Sequence, residues 1–545
     1  MAADEGEAWL GVDLGTQSVR VLLVTAGGTV LGRGSAPLAG HRDGVRHEQD
    51  PEEWWQALRT ASRAALADRL HVRVGGLAVC GTSGTVLLTD GTGRPVTPAL
   101  MYDDGRASTQ AARARRTGLA VQDTWALPKV LWLAGEYEDV GGAGPVRGRG
   151  AGGGGPVRGR SGGAGRRAGQ PPGPASHPGS TSRPHPHLRL VHPPRPPRLR
   201  LAHQPDLIVA RLIGEPPPAD SSHALKTGYD LETDAWPHTA LAELGLPDEL
   251  FPDVVRPGTR LGEVTPAAAE ATGIPAGTPV IAGMTDGCAA QIAAGALRPG
   301  SWNSVLGTTL VLKGASVTPV RDETGVVYNH RAPDGTWLPG GASSVGAGVL
   351  TAAFAGADPA AMDARAAAHE PSGAVTYPLV SPGERFPFLA PAASAIVLGE
   401  PADGADLWAS LLQGVAFAER LCVDYLDHLG APLDGPLTFT GGAARSAYWN
   451  QLRVDVLGRP ARVPHQTEPA LGMAALAAHG TGRGPLPEIA ERMVRIDTVL
   501  EPDPARTALF AEPYARLVDE LTARGWLPAP VAAHARSRLT GTTAD

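Results

Sequence analysis

Asp13 lies near the end of a largely apolar run, residues 9–14. The turn residues Gly15, Thr16 and Gln17 come next, and a second apolar run follows. The pattern predicts a β-hairpin with a polar turn. Backbone N–H groups beside Gly15 and the hydroxyl of Thr16 can hold phosphate oxygens without a lysine. Because a carboxylate repels phosphate, Asp13 would hold Mg²⁺ through water or bind a substrate hydroxyl. An ordinary Asp/Gly turn is the alternative, since short glycine-rich motifs occur often by chance.

Three later segments strengthen the first interpretation. Residues 304–312 repeat the strand, Gly-Thr turn and strand design, Asp286 follows the apolar residues 279–282, and a Gly441-Gly442 turn ends another apolar run. Two phosphate hairpins, an acid between them and a terminal Gly-Gly turn match the duplicated actin-like ATPase fold. We therefore expect an α/β protein with two actin-like (ribonuclease H-like) domains and a nucleotide cleft between them.

From about residue 9 to residue 480, the order of these motifs resembles the FGGY carbohydrate kinases. The supporting segments are Gly-Thr-Ser-Gly-Thr at 81–85, Ala-Asp-Ser-Ser-His-Ala-Leu-Lys-Thr-Gly-Tyr-Asp at 219–230 and Gly-Gly-Ala-Ser-Ser-Val-Gly at 340–346. Within the family, the resemblance is closest to D-ribulose kinases, formerly called xylulokinase-like. It implies ATP- and Mg²⁺-dependent phosphorylation of a free ketopentose to its 5-phosphate. D-ribulose is favoured, and D-xylulose or another sugar or polyol is the alternative.

The resemblance also assigns roles to the two acids. Asp286 matches the family's catalytic aspartate, which removes the proton of the acceptor hydroxyl, and it would also contact the sugar. A simpler interpretation is that Asp286 caps a helix over residues 289–297. Asp13 matches the acid of the first hairpin, which implies Mg²⁺ positioning, through water, or contact with a sugar hydroxyl.

Nucleotide contacts are implied at both hairpins and at the Gly-Gly turn. The residues are Gly15, Thr16, Gln17, Gly307, Thr308, Thr309, Gly346, Gly441, Gly442, Ala443 and Asn450. At Gly442 any side chain would strike the flat base. Because the two hairpins would hold the phosphates from opposite domains, catalysis should depend on cleft closure and the exclusion of water.

The sugar is expected at Thr82 and Ser83, just past a strand end, where short hydroxyl side chains leave room and resemble the ribulose-kinase pattern. The alternative is a local turn whose hydroxyls bind nearby backbone. For Asp104 and Arg106 we favour an ion pair that supports the pocket wall. Lys226 lies in a family-like segment, but one loop lysine is weak evidence for phosphate binding.

Composition narrows the class of protein. The chain has 545 residues, 42% of them hydrophobic, and a net charge of −7, which argues against nucleic acid as the main partner. The three cysteines, Cys80, Cys288 and Cys422, lack metal-ligand spacing, and no long apolar run predicts export or a membrane span. We therefore expect a cytoplasmic enzyme, monomer or homodimer, whose partners are a sugar and ATP. The alternative of another class is an inactive actin-like nucleotide-binding protein.

One segment departs from the rest of the chain. Residues 141–200 contain 11 arginines and no Asp, Glu or Lys, in a background of Gly, Pro, Ala, Ser and His. Such a composition predicts disorder, because little apolar surface is available for burial. A basic insert that binds acidic partners and a solvated linker without a role are two interpretations. We favour a third, a pair of compensating frameshifts that makes residues 134–202 aberrant, because only three lysines accompany 45 arginines, as in a GC-rich gene.

The remaining pattern gives the organisation. Residues 1–297 would form the sugar-binding domain, 298–500 the nucleotide-binding domain and 501–545 a C-terminal tail. Apolar spacing predicts three helices, over residues 51–70, 406–429 and 446–456.

Overall fold

A computed structural model describes residues 6–69, 71–139 and 198–540. The first half of the chain is α/β. Its strands are β1 (Glu7–Leu14), β2 (Ser18–Thr25), β3 (Val30–Pro37), β4 (His41–Asp43), β5 (Arg46–Gln49), β6 (Arg73–Gly81), β7 (Val86–Thr89), β8 (Ala99–Leu100), β9 (Arg200–His203), β10 (Ala219–Asp220), β11 (Val254–Val255), β12 (Arg260–Glu263) and β13 (Pro279–Ile281). Its helices are α1 (Pro51–Leu66), α2 (Ser108–Arg115), α3 (Ala126–Asp139), α4 (Gln204–Ile213), α5 (Ser221–Ala224), α6 (His238–Glu243), α7 (Pro266–Thr272) and α8 (Asp286–Ala293).

The second half also contains both strands and helices. Its strands are β14 (Trp302–Leu306), β15 (Leu310–Gly314), β16 (Tyr328–Arg331), β17 (Trp337–Ala342), β18 (Ala374–Tyr377), β19 (Ile396–Gly399), β20 (Leu437–Thr440), β21 (Ala461–Pro464) and β22 (Ile496–Leu500). Its helices are α9 (Gly348–Ala353), α10 (Pro359–Ala366), α11 (Gly404–His428), α12 (Ala447–Leu457), α13 (Pro469–Gly480), α14 (Leu486–Met493), α15 (Pro504–Leu509), α16 (Ala511–Ala523) and α17 (Ala529–Thr540).

Each half is built on one large sheet of the same design. The first sheet has the order β12-β13-β6-β1-β2-β3, with β1, β2 and β3 antiparallel and β1, β6 and β13 parallel. The second has the order β16-β17-β15-β14-β20-β21-β22, and β14 likewise pairs antiparallel with β15 and parallel with β20. The expected hairpins are therefore β1–β2 and β14–β15, and the fold is the expected duplicated α/β architecture.

A core between the two sheets joins the halves. Helix α13 comes late in the chain but packs on the first sheet, where a Cβ built on Gly11 would lie 1.7 Å from the carbonyl oxygen of Ala470. Trp9, Met284, Leu471 and Leu338 belong to this shared core. The expected boundary at residue 297 falls between α8 and β14. Helix α13 comes after this boundary in the sequence, yet it packs on the sheet of the first half.

The expected C-terminal tail is not separate from the second half. Helix α16 buries Tyr514, Leu517 and Val518 completely in the core that includes α11. An amphipathic helix can bury its apolar face only against another element, which here is the long helix of the second half.

Other local expectations differ from the structure by a few residues. The helix expected over 51–70 ends at Leu66, because the chain becomes extended at Ala67 and Asp68 takes a φ of 59°. Residues 134–139, expected to be aberrant, continue α3, and residues 200–202 lie in β9. Residues 140–197, which carry most of the segment expected to be disordered, lie outside the described residues.

Candidate active site

Asp13 lies at the end of β1, and 3% of its surface is exposed. Its Oδ2 accepts a hydrogen bond from Arg20 Nη1 at 3.2 Å, and its Oδ1 accepts one from the Cys80 thiol at 3.6 Å. Burial raises the pKa of Asp13 from 3.8 to about 6, with a further upward contribution from the charge of Asp286 and an opposing one from Arg20. The two carboxyl groups are thus close enough to influence each other.

Asp286 is the first residue of α8, and Thr285 occupies the N-cap position. The helix begins three residues earlier than expected, so Asp286 does not cap a helix that starts at residue 289. Its Oδ1 accepts a hydrogen bond from the Gly287 N–H at 2.8 Å. Burial raises the pKa of Asp286, while that bond, the charges of Lys226 and His223 and the Ser83 N–H oppose the rise. A half-buried carboxylate with a raised pKa is suited to accept a proton.

The sheet explains why these acids meet. Strands β1, β6 and β13 run parallel, with Asp13 paired to Cys80, and Gly81 forms a bridge with Thr285. Asp13, the turn after β6 and Asp286 therefore share one edge, at the carboxyl ends of the parallel strands. This is where ligands bind in open α/β sheets.

The two hydroxyl residues after β6 differ in their surroundings. The Thr82 hydroxyl donates to Gln204 Oε1 at 2.8 Å, and its oxygen lies 2.5 Å from Thr85 Oγ1. This favours the local-turn interpretation over sugar contact at Thr82. The Ser83 Oγ is buried without a hydrogen-bond partner among the described residues. A ligand hydroxyl can satisfy Ser83, because an unpaired buried hydroxyl is unfavourable.

A small cavity of about 40 Å³ lies between the halves, and one of its lining residues, Lys226, is close enough to Asp286 for their charges to interact. Lining residues from the first half are Tyr102, Gln122, Thr124, Trp125 and Lys226, and those from the second half are Val326, Tyr328, Ala342 and Arg385. Burial lowers the pKa of Lys226 to about 8, while the charge of Asp286 opposes the shift and that of Arg385 adds to it. In the sequence, Lys226 is weakly indicated by its family-like segment, and no pattern indicates Arg385.

Lys129 hydrogen-bonds to backbone that lies beside this cavity. Its Nζ donates to three carbonyl oxygens, at 2.9 Å to Gly84, 2.7 Å to Met101 and 3.0 Å to Tyr102. Burial lowers the pKa of Lys129 to about 7. Lys129 thus fixes both the turn that carries Ser83 and the segment that carries Tyr102. Its burial in α3, not its sequence context, reveals this role.

The expected ion pair between Asp104 and Arg106 is present. Arg106 Nη2 lies 2.6 Å from Asp104 Oδ2, and Arg106 Nη1 lies 2.6 Å from Glu48 Oε1. Asp104 also accepts the His47 N–H at 2.8 Å. The pair therefore ties residues 104–106 to β5.

At the first hairpin turn, the protein fixes the backbone between β1 and β2. The Gly15 N–H donates to the Ser18 carbonyl at 3.1 Å, Gln49 Nε2 donates to the Thr16 carbonyl at 2.6 Å, and the Leu38 N–H donates to the Gln17 carbonyl at 2.9 Å. A turn held in this way can present its remaining groups to a ligand without reorganisation.

The second hairpin turn is supported by the segment around Gly346. The Ala347 N–H donates to the Gly307 carbonyl at 2.9 Å, and a Cβ on Gly346 would lie 2.4 Å from the Thr308 oxygen and 2.4 Å from Thr309 Cα. The expected nucleotide contact of Gly346 stays a prediction. Close packing on the hairpin backbone already requires glycine there.

The Gly-Gly turn leads from β20 into a short 3₁₀ helix, Gly442–Arg445, and then α12. Gly441 has a φ of +87° and approaches Leu306, whereas a Cβ on Gly442 would meet only the Arg445 Nη2, at 3.6 Å. Asn450 donates to the Ala444 carbonyl at 2.7 Å, and its Oδ1 is buried without a partner among the described residues. Gly442 therefore faces space that the protein itself does not fill.

Two observations bear on metals and membranes. Within the described residues, no group of three or more His, Cys, Asp or Glu side chains could hold a metal ion. Likewise, none of the helices in the described part of the chain is long and apolar enough to cross a membrane.

Comparison with known proteins agrees with this architecture. A xylulose kinase from Streptomyces rubiginosus is 30% identical over 498 residues, which cover 88% of this chain and 89% of the relative. A xylulose kinase from Escherichia coli K12 is 25% identical over 489 residues, 86% of this chain and 89% of the relative. Among solved structures, xylulose kinase from Rhodospirillum rubrum has a TM-score of 0.76 at 25% identity and covers 95% of this chain and 98% of its own.

A "xyloylose kinase" from Brucella ovis has a TM-score of 0.79 at 24% identity, over 95% of this chain and 99% of its own, a likeness in fold alone. The duplicated sheets and the cleft between them define a two-domain phosphotransferase of actin-like architecture. Family models describing the N-terminal domain (residues 8–141 and 202–293) and C-terminal domain (302–481) of FGGY carbohydrate kinases match the chain. The chain belongs to the FGGY family of carbohydrate kinases and is a sugar kinase.

Proposed function

We propose that the chain transfers the terminal phosphoryl group of ATP to a hydroxyl of a free ketopentose, with D-xylulose as the favoured acceptor. The observation that carries this proposal is the position of Asp286, in the first turn of α8, where its charge acts on Asp13 and on Lys226, a residue that lines the cavity between the halves. A carboxylate with a raised pKa at this place can take the proton of the attacking hydroxyl.

The choice of D-xylulose over D-ribulose changes the initial expectation. The xylulose kinases similar to this chain at 30% and 25% identity support it. The argument for D-ribulose rested on two short hydroxyl side chains, and the Thr82 hydroxyl is engaged by Gln204. Only Ser83 retains an unpaired hydroxyl for the sugar.

The residues present fit Mg²⁺. Asp13 and Asp286 are two hard oxygen donors, and the charge of Asp286 raises the pKa of Asp13, so a dication beside Asp13 would relieve the repulsion. One or two carboxylates, with waters and substrate phosphates, suffice for Mg²⁺ in kinases. Bound there, the ion would supply charge neutralisation for the phosphates.

Different residues of the chain would bind the phosphates, accept the proton and orient the sugar. The turns 15–17 and 307–309 would bind phosphate oxygens from opposite halves, and Asp286 would hold the acceptor hydroxyl and receive its proton. Ser83 and Lys226 would orient the sugar, and Lys129 keeps the Ser83 turn in place through Gly84. Phosphoryl transfer needs mainly positioning and electrostatic stabilisation, which this arrangement supplies.

For the nucleotide we propose the surface formed by Gly441, Gly442, Ala443 and Asn450. The open space at Gly442 and the unpaired Oδ1 of Asn450 support an adenosine at this place. A flat base can lie over a glycine where a side chain would displace it.

The test is ADP release by the purified chain with D-xylulose, D-ribulose, L-ribulose, glycerol and D-gluconate, each with and without Mg²⁺. We expect the highest kcat/KM with D-xylulose, no turnover without a divalent cation, and loss of turnover in Asp286→Asn. A higher kcat/KM with D-ribulose would restore the initial expectation, and turnover of no ketopentose would refute the proposal.

A further inference from the structure

Two cationic side chains face the cavity between the halves. Lys226 comes from the first half, on the segment after α5, and Arg385 comes from the second half, after β18. They are close enough for the charge of Arg385 to lower the pKa of Lys226 and to oppose the raised pKa of Tyr102. The cavity wall is thus positively charged from both sides.

Neither cation is neutralised by an ion pair within the described residues. The Arg385 Nε is buried and has no hydrogen-bond partner there. The Lys226 ammonium lies 5.4 Å from the centre of the Tyr328 ring, and Lys313 lies 5.1 Å from the same centre, its own Nζ also without a hydrogen-bond partner in the described chain. Two buried donor atoms, Arg385 Nε and Lys313 Nζ, therefore lack an acceptor among the described residues, and Lys226 shares the Tyr328 ring with Lys313.

The neighbouring acid does not compensate Arg385. Glu384 accepts hydrogen bonds from Ser343 Oγ at 3.0 Å, the Ser344 N–H at 2.7 Å and the Tyr377 hydroxyl at 2.5 Å. It also accepts the backbone N–H of Arg385 at 2.8 Å. Glu384 thus anchors the backbone that carries Arg385 and leaves the guanidinium free to face the cavity.

Arginine and lysine donate hydrogen bonds and accept none. A wall made of such groups suits an oxygen that only accepts, which is a carbonyl or a carboxylate, better than a hydroxyl. Resting on the proposed function, we propose that Arg385 is an acceptor-binding residue contributed across the cleft, which with Lys226 selects acceptors bearing a carbonyl or carboxylate over fully reduced polyols.

The experiment measures ligand binding by calorimetry without ATP, so that it does not depend on turnover. The ligands are D-xylulose, its reduced counterpart xylitol and the sugar acid D-xylonate. For the wild-type chain we expect D-xylulose or D-xylonate to bind at least about tenfold more tightly than xylitol. Whichever of these two ligands binds more tightly shows whether the site prefers a carbonyl or a carboxylate oxygen. Equal binding of all three would overturn the proposal.

The variant Arg385→Met sharpens the test. Loss of a hydrogen bond to a charged donor should weaken D-xylulose and D-xylonate binding by about 10- to 100-fold, xylitol binding by less than about threefold, and leave the KM for ATP unchanged. Uniform weakening of all three ligands, or none, would contradict the proposal. Arg385→Lys should recover part of the loss, because the charge remains.

Controls separate ligand binding from folding. Arg385→Met should keep the wild-type melting temperature, since no described partner is lost. The matched control Arg420→Met removes a buried arginine of the same half that donates to the Val456 carbonyl at 2.8 Å, so it should lower stability without changing ligand preference. If wild-type discrimination persists while D-xylulose is not phosphorylated, the proposed function fails and the role of Arg385 stands.

Discussion

Asp13 and Cys80 face each other on the parallel strands β1 and β6, and the Cys80 thiol donates to the Asp13 carboxylate at 3.6 Å. Burial, followed by the charges of Asp13 and Asp286, raises the pKa of the thiol well above its ordinary value, so it keeps its proton. Asp13 is therefore a buried acid whose partners, the Arg20 guanidinium and this thiol, do not offset the effect of burial on its pKa. Such a group favours a cation as ligand, and in its absence it destabilises the fold.

The first prediction concerns this destabilisation. The unfolded Asp13 carboxyl loses its proton near pH 4, and the folded one near pH 6. In this window the folded state binds more protons, so the contribution of Asp13 to the free energy of unfolding falls as pH rises. Above pH 6 the loss is complete and amounts to roughly 2 to 3 kcal/mol for a two-unit shift.

Asp13→Asn should therefore melt at a higher temperature than the wild type at pH 7.5, with the difference shrinking towards pH 4. Thermal unfolding at the two pH values measures the difference in melting temperature. Asp43 is exposed, so the control Asp43→Asn should melt like the wild type at both pH values. The same Asp13 variant should lose most activity. An unchanged or lower melting temperature at pH 7.5 would contradict the raised pKa.

The second prediction concerns Asp286→Asn. If Asp286 accepts the acceptor proton, kcat should fall by about 10²- to 10⁴-fold while KM for ATP and sugar changes little. Steady-state kinetics measure both. The control Asp358→Asn alters the carboxylate that caps α10, where asparagine caps equally well, and should keep wild-type kcat. Near-normal kcat in Asp286→Asn would remove its role as base.

Local features of the fold could be predicted because neighbouring residues determine them. The helix expected over 406–429 is Gly404–His428, and the one expected over 446–456 is Ala447–Leu457, with Ser446 as the N-cap residue. Both hairpins follow from the turn chemistry of glycine and threonine between apolar runs. In each case the residues that determine the helix end or the turn lie within a few positions of it in the sequence.

The rest depends on segments that meet from far apart in the chain. Neither the return of α13 to Gly11 nor the approach of Arg385 to Lys226 leaves a periodic or local pattern. The engagement of Thr82 by Gln204 is of the same kind, since 122 residues separate them. The sequence therefore predicts turns that would carry the chemistry, but not which side chains line the cavity between the halves.

The third prediction separates the two hydroxyl residues after β6. Ser83→Ala should raise the KM for the sugar by a few-fold to about tenfold, because one hydrogen bond contributes about 0.5 to 1.5 kcal/mol, and should leave the KM for ATP unchanged. Thr82→Val should instead lower the melting temperature, because Gln204 loses a buried donor. If Ser83→Ala affects the KM for ATP alone, the acceptor does not lie at Ser83.

The fourth prediction compares Gly346→Ala with Gly442→Ala. A Cβ at residue 346 would lie 2.4 Å from the Thr308 carbonyl oxygen, so alanine must displace the second hairpin turn. Gly346→Ala should therefore lower the free energy of unfolding by about 1 to 3 kcal/mol. A Cβ at residue 442 would meet only the flexible end of Arg445, at 3.6 Å, so Gly442→Ala should melt like the wild type.

The nucleotide distinguishes the same two variants. If the adenine base lies over Gly442, the added methyl group in Gly442→Ala should raise the KM for ATP and the dissociation constant of ADP about tenfold or more, without changing the sugar KM. Calorimetry with ADP and melting curves of both variants make the comparison. A normal ADP dissociation constant in Gly442→Ala would mean that the base binds elsewhere, because a base lying over residue 442 would meet the added methyl group.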